Sequence, residues 1–143
     1  MSRTPLALFL SLGLCASAVA QDAAVPQFAL ELNAIQSSDA GCRITFLATN
    51  RLGGPLDRAA VEVALFGPTG SIDRIVTLDF KNLAEGKTKV LQFELAGLDC
   101  ADVSRVLVND IGTCEGDGIA PESCLAGLAA TARPDITFGV CPL

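Results

Sequence analysis

The run Cys42-Arg43-Ile44-Thr45-Phe46-Leu47-Ala48-Thr49-Asn50 constrains this chain more than any other nine residues. Cys42, Ile44, Phe46 and Ala48 alternate with Arg43, Thr45, Leu47 and Thr49. A period of two is what a half-buried strand requires, because successive side chains leave a pleated backbone on opposite faces. A helix built on this run would scatter its apolar residues around the axis. The Gly53-Gly54-Pro55-Leu56 segment that follows has the chemistry of a turn.

The same period recurs along the chain. Phe28, Leu30, Leu32 and Ala34 alternate with Ala29, Glu31 and Asn33 in a first strand, which Gln36–Gly41 closes with turn residues. Val61, Val63 and Leu65 mark a third strand, broken by Gly67-Pro68-Thr69-Gly70. Val76, Leu78 and Phe80 mark a fourth, within Ile72–Phe80, and Leu91, Phe93 and Leu95 mark a fifth. Arg105–Asp110 alternates less cleanly, as a strand buried on both faces does. A loop is expected over Gly112–Gly118. Pro121 to Ala130 is the one helix expected, with proline at a first helical position and Glu122 near the positive helix end. Ile136, Phe138 and Val140 form a closing strand. Seven short strands separated by turns predict an all-β fold, an antiparallel sandwich or barrel, with one short C-terminal helix.

The first twenty residues stand apart from this pattern. Arg3, the apolar run Pro5–Ala16 and the small-x-small sequence Ala18-Val19-Ala20 read as a cleaved signal peptide over 1–20. The run falls short of the roughly 20 apolar residues of a membrane span. A lipid anchor on Cys15 is disfavoured, because Leu14 precedes it where a small side chain is wanted. Residues 21–26 then form a leader, and 27–143 a single sandwich domain whose C-terminal extension, 111–143, carries cysteines. Losing Arg3 leaves 9 basic residues against 16 acidic ones, a net charge of −7. That balance argues against nucleic acid or an anionic membrane as partner. Export predicts a periplasmic or secreted location.

Export also permits disulfides. Five of the six cysteines survive cleavage, so one is left over. Hairpin connections make strands alternate in direction, which puts Cys42 and Cys100 at one end of the sandwich and Cys114 and Cys124 at the other. The expected bridges are Cys42–Cys100 and Cys114–Cys124, with Cys141 a free thiol. The competing arrangement ties Cys141 to Cys114 or Cys124. On loop entropy the first bridge contributes about 4 kcal/mol and the second about 3 kcal/mol.

Catalytic constellations are hard to find in this sequence. It has no histidine, the usual general base and the commonest transition-metal ligand. No Cys-x-x-Cys pair suggests a redox or zinc site. Lys81, Lys87 and Lys89 sit in no recognisable serine motif. Asp110, Glu115 and Asp117, on a glycine-rich segment, are oxygen ligands of the kind calcium takes, although their spacing departs from the EF-hand loop. A solvated acidic turn is the commoner use of such residues. No cofactor is expected.

Every aromatic residue is phenylalanine. Phe28, Phe46, Phe80, Phe93 and Phe138 fall at inward positions, where core packing accounts for them. Phe66 and Leu47 point outward on simple alternation, and could cover an edge, pack under the helix or mark a contact surface.

From Cys42 to Val108 the order of features resembles FxLYD-type and related immunoglobulin-like sandwich modules of bacterial envelope proteins. The matching features are a strand ending Thr49-Asn50, a turn with Pro55-Leu56, and a strand ending Ala64-Leu65-Phe66. A Gly70 hairpin and Leu83-Ala84-Glu85-Gly86 follow. The chain departs where that family carries Tyr-Asp, having Phe66-Gly67 instead, and its tail from Cys114 onward lies outside the pattern. The resemblance implies a non-enzymatic envelope module and transfers no binding residue. From the export signal, the strand pattern and the lack of a catalytic constellation, the function expected is binding of an envelope or secreted protein, or stabilisation of an envelope assembly. The alternatives are a histidine-free hydrolase or calcium-dependent enzyme, and a secreted inhibitor presenting Gly112–Pro121.

Overall fold

A computed structural model describes residues 25–140. The expected signal peptide with Cys15, most of the expected leader, and Cys141 lie outside the described residues. Eight strands form two four-stranded sheets packed face to face. Sheet A contains β1 (Gln27–Ser38), β2 (Gly41–Arg51), β5 (Thr88–Ala96) and β7 (Leu128–Ala132), in the order β5-β2-β1-β7. Sheet B contains β3 (Leu56–Phe66), β4 (Ile72–Leu83), β6 (Arg105–Glu115) and β8 (Thr137–Val140), in the order β4-β3-β6-β8.

The alternation read from the sequence becomes the core. Phe28, Leu30, Leu32, Ile44, Phe46, Val61, Val63, Leu65, Leu78 and Phe80 are all buried between the sheets. Phe46 sits at their centre, meeting Phe80, Phe93 and Phe138 edge to face at centroid separations of 5.7, 6.1 and 5.4 Å. Such pairs add about 0.5–1.5 kcal/mol each beyond the area they bury. In β6, Val106, Leu107 and Val108 are buried in succession, which is why that strand shows no clean period.

Four expectations need correction. The sandwich is mixed rather than antiparallel, because β7 runs parallel to β1 and β8 parallel to β6. After β6 the chain lies at the end where β1 begins, so the strand it adds along β1 starts from the same end. It then crosses to the end where β6 begins, and Thr137 pairs with Arg105. Second, the helix over Pro121–Ala130 shrinks to α1 (Ser123–Ala126), and Leu128–Ala132 becomes β7, a strand beyond the seven expected. Gly127 ends α1 in tight quarters: a Cβ there would lie 3.0 Å from the Pro26 carbonyl oxygen. Its own carbonyl accepts from Phe28 N–H at 2.8 Å, which starts the ladder with β1. An exposed edge needing a partner thus overrides local helix propensity.

Third, the turn expected over Gln36–Gly41 contracts, since β1 pairs with β2 out to Ser38–Gly41 across a bulge at Asn33. Fourth, Gly112–Glu115 is strand rather than loop, because β6 stays paired with β3 to the Arg58–Glu115 pair, again through bulges.

Cys42 is bonded to Cys100, which begins a short 3₁₀ turn (Cys100–Asp102), and Cys114 of β6 is bonded to Cys124 of α1. The bridges sit at opposite ends of the sandwich. Two disulfides are the chemistry of an oxidising, extracellular-type compartment. Among the described residues no helix is long and apolar enough to cross a membrane.

Candidate contact surface

The residues expected to carry chemistry are not brought together. Asp110 lies on β6 opposite Glu62, Glu115 lies opposite Arg58 at the far end of the same strand, and Asp117 lies in the turn beyond. Among the described residues no group of three or more His, Cys, Asp or Glu side chains is close enough to hold a metal ion. The Asp110 carboxylate accepts instead from Ile111 N–H at 2.8 Å. Lys81 and Lys89 bond a carboxylate and two carbonyl oxygens respectively, never a serine. In the segment after Cys114, Ile119 packs onto the core while Glu115, Asp117, Gly118 and Ala120 are exposed.

Concave features are shallow. An open depression of about 340 Å³ on the outer face of sheet A is lined mainly by small side chains, among them Ala29, Thr49, Thr88 and Ala129. Its Thr49 and Thr88 hydroxyls bond each other at 2.7 Å, and Glu31 at its rim is ion-paired with Arg133. Leu47, outward as expected, lies here beside the exposed Val90. Two adjoining grooves at one end, of about 400 and 300 Å³, share Val25, Pro26 and Leu52, and run along the point where the described chain begins.

Two carboxylates at the surface are held below their ordinary pKa for structural reasons. The Lys81 backbone N–H and ammonium, together with Arg58, hold the Asp79 carboxyl down at about 2. The Ser38 hydroxyl and then Arg43 lower Glu94. Both fix strand positions: Asp79 holds the β4 bulge at which Lys81 takes a left-handed φ of 62°, and Glu94 joins β5 to β2.

The outer face of sheet B differs in kind. Ladder register sets its side chains in rows. Ile75, Ala64, Leu107 and Gly139 cross all four strands in one row, and Ile72, Phe66, Arg105 and Thr137 cross in the next. Ala64 and Leu107 are covered by their neighbours, but Ile75 is 51% and Ile72 54% exposed. The Arg105 guanidinium lies over the Phe66 ring, 4.3 Å from its centroid. Its Nε is buried without a hydrogen-bond partner, and none of the ion pairs among the described residues includes Arg105. Stacking on an aromatic ring fixes the direction of a guanidinium and reduces the ordering cost of a later contact. On the other side of the Ala64–Leu107 row stand Glu62 and, at a bulge, Asn109 and Asp110. The Glu62 carboxylate accepts from the Asn109 amide.

The sequence indicated Phe66 as outward but gave no sign of Arg105. Its partner across the ladder, 39 positions away, is visible only once β3 and β6 are known to pair. No protein-family model, no curated protein and no solved structure matches this chain.

Proposed function

We propose that this protein is an exported, non-catalytic sandwich module of immunoglobulin-like type that acts by contact with a protein surface in the envelope or outside the cell. Its contact surface is the outer face of sheet B. The observation that carries the reading is the half-exposed pair Ile72 and Ile75 beside an aromatic-stacked arginine with no acidic partner among the described residues. Arginine and aromatic side chains surrounded by apolar ones are the composition of interface hot spots, and charged groups elsewhere on a surface seldom sit so. The two disulfides support the exported part of the reading.

A photo-crosslinking residue tests it. Benzoylphenylalanine at Ile75 should give a discrete crosslinked product in cells expressing the full chain. The same probe at Val90, exposed on the outer face of sheet A, should give none. Equal labelling from both positions, or none from Ile75, would remove the face from consideration.

A further inference from the structure

Resting on that reading of the face, we propose that its occupant is a second copy of this chain, docked face to face about a two-fold axis along the Ile75–Ala64–Leu107 row. The register makes the face self-complementary. Arg105 and Phe66 lie two positions to one side of that row, and Glu62 with Asn109 and Asp110 lies a ladder step to the other side. A two-fold rotation about the row keeps each strand over its own counterpart and exchanges the two sides. Arg105 of each copy then meets Asp110 of the other, with Glu62 adjacent, and the exposed Ile75 meets its own equivalent, while the covered Ala64 and Leu107 lie beneath the axis. Such an interface is isologous and closes at two, with no open surface left to propagate.

The charges favour this occupant over an unrelated apolar one. Arg105 is the only cation in its row, Glu62 and Asp110 lie in a row without one, and each set supplies what the other lacks. An apolar partner would leave Arg105 buried against hydrocarbon, at high cost. Small Ala64 at the centre lets two sheets approach to the usual separation of about 10 Å. Four strands about 4.8 Å apart and a strand of 11 residues give a face of roughly 600 Å² per copy, at the lower limit of a specific interface. A reversible dimer follows, rather than a permanent one.

Analytical ultracentrifugation of the disulfide-bonded mature chain over a wide concentration range tests the proposal, with crosslinking from Ile75 read by mass alongside. A concentration-dependent dimer is expected. Arg105→Asp and Asp110→Arg should each weaken it about tenfold or more, and the double variant should recover most of the loss, since each reversal sets like charges together and the pair restores opposition. Of the two positions Asp110 is exposed and Arg105 half-buried, and circular dichroism checks that the variants fold. A dimer indifferent to all three variants overturns the proposal. A monomer at every concentration whose Ile75 probe captures a different protein also overturns it while leaving the contact face intact. A monomer with no capture removes both.

Discussion

Lys89 of β5 donates from Nζ to the Asn82 carbonyl of β4, 3.0 Å away across the gap between the two sheets. Arg74 of β4 answers it at the other end of the same side, donating to the Ala96 carbonyl of β5 at 2.9 Å. Each edge strand therefore carries a cation of the other on its carbonyls. Unpaired edge strands recruit other chains, and a bonded lysine or arginine is one way of closing them. Replacing both residues by alanine should lower stability by less than about 1 kcal/mol, since exposed charged contacts contribute little. The same variant should aggregate faster at neutral pH. Light scattering during incubation near the melting temperature reads the second effect against calorimetry for the first.

Asp79 predicts a sign for the acid limb of stability. Its folded-state pKa, about 2, lies below the usual carboxylate value of about 3.9. Its contribution is thus present in full above about pH 4 and is lost as pH falls through about 2. Asp79→Asn should flatten the stability profile over that window and leave it unchanged near pH 7 apart from a constant offset. The largest cause is the Lys81 backbone N–H, which any residue at 81 supplies. Lys81→Gly should therefore keep most of the depression, and it also removes a side chain from a left-handed φ. Carboxyl chemical shifts followed by NMR through an acid titration decide the point.

What was legible in the sequence, and what was not, divides along a physical line. Buried alternation is a local property, so Ile44-x-Phe46 and Val61-x-Val63-x-Leu65 declare their faces without reference to anything else. Strand direction follows from hairpins, and that sufficed to pair Cys42 with Cys100 and Cys114 with Cys124. Edge strands are different. Leu128-Ala129-Ala130-Thr131-Ala132 has no strand pattern of its own and is a strand because β1 has a free side. Bulges escape for the same reason: Asn109 and Asp110 both turn outward only because β3 offers one residue, Glu62, opposite the two. The contact face is a product of that register, so it could not be read in advance.

Asn50, next to last in β2, is completely buried. Its Nδ2 donates to the Gly54 carbonyl at 2.8 Å and the Leu83 carbonyl at 3.0 Å, and its Oδ1 accepts from Leu52 N–H at 3.0 Å. One amide thus holds the β2–β3 turn to the end of β4. Asn50→Ala leaves three backbone groups without this partner, the Leu83 carbonyl in a buried setting and the other two half-buried, and should cost about 2–3 kcal/mol. Asn50→Asp should cost at least as much, because a carboxylate would face two carbonyl oxygens. Urea denaturation of each variant measures the loss, and an Asn50→Ala protein of unchanged midpoint would mean that water replaces the amide.

The two disulfides should differ more in what they hold than in what they contribute. Cys42–Cys100 closes a sequence separation of 58 and joins two segments already paired through β2 and β5. Cys114–Cys124 closes only 10 residues, but it ties α1, and through it β7, to sheet B. Its loop-entropy contribution is about 3 kcal/mol against about 4 kcal/mol for the longer loop. Global unfolding should therefore shift a little more in Cys42→Ala/Cys100→Ala than in Cys114→Ala/Cys124→Ala. Local opening should reverse the order. With the short bridge gone, α1 retains little more than the buried contact of residue 124 and the Phe28–Gly127 bond. Amide protons of β7 should then exchange well before those of β2, and the α1 segment should become the first site of proteolysis. Hydrogen exchange on both variants separates the two effects, and equal protection of β7 in each would show that pairing with β1 holds the C-terminal segment unaided.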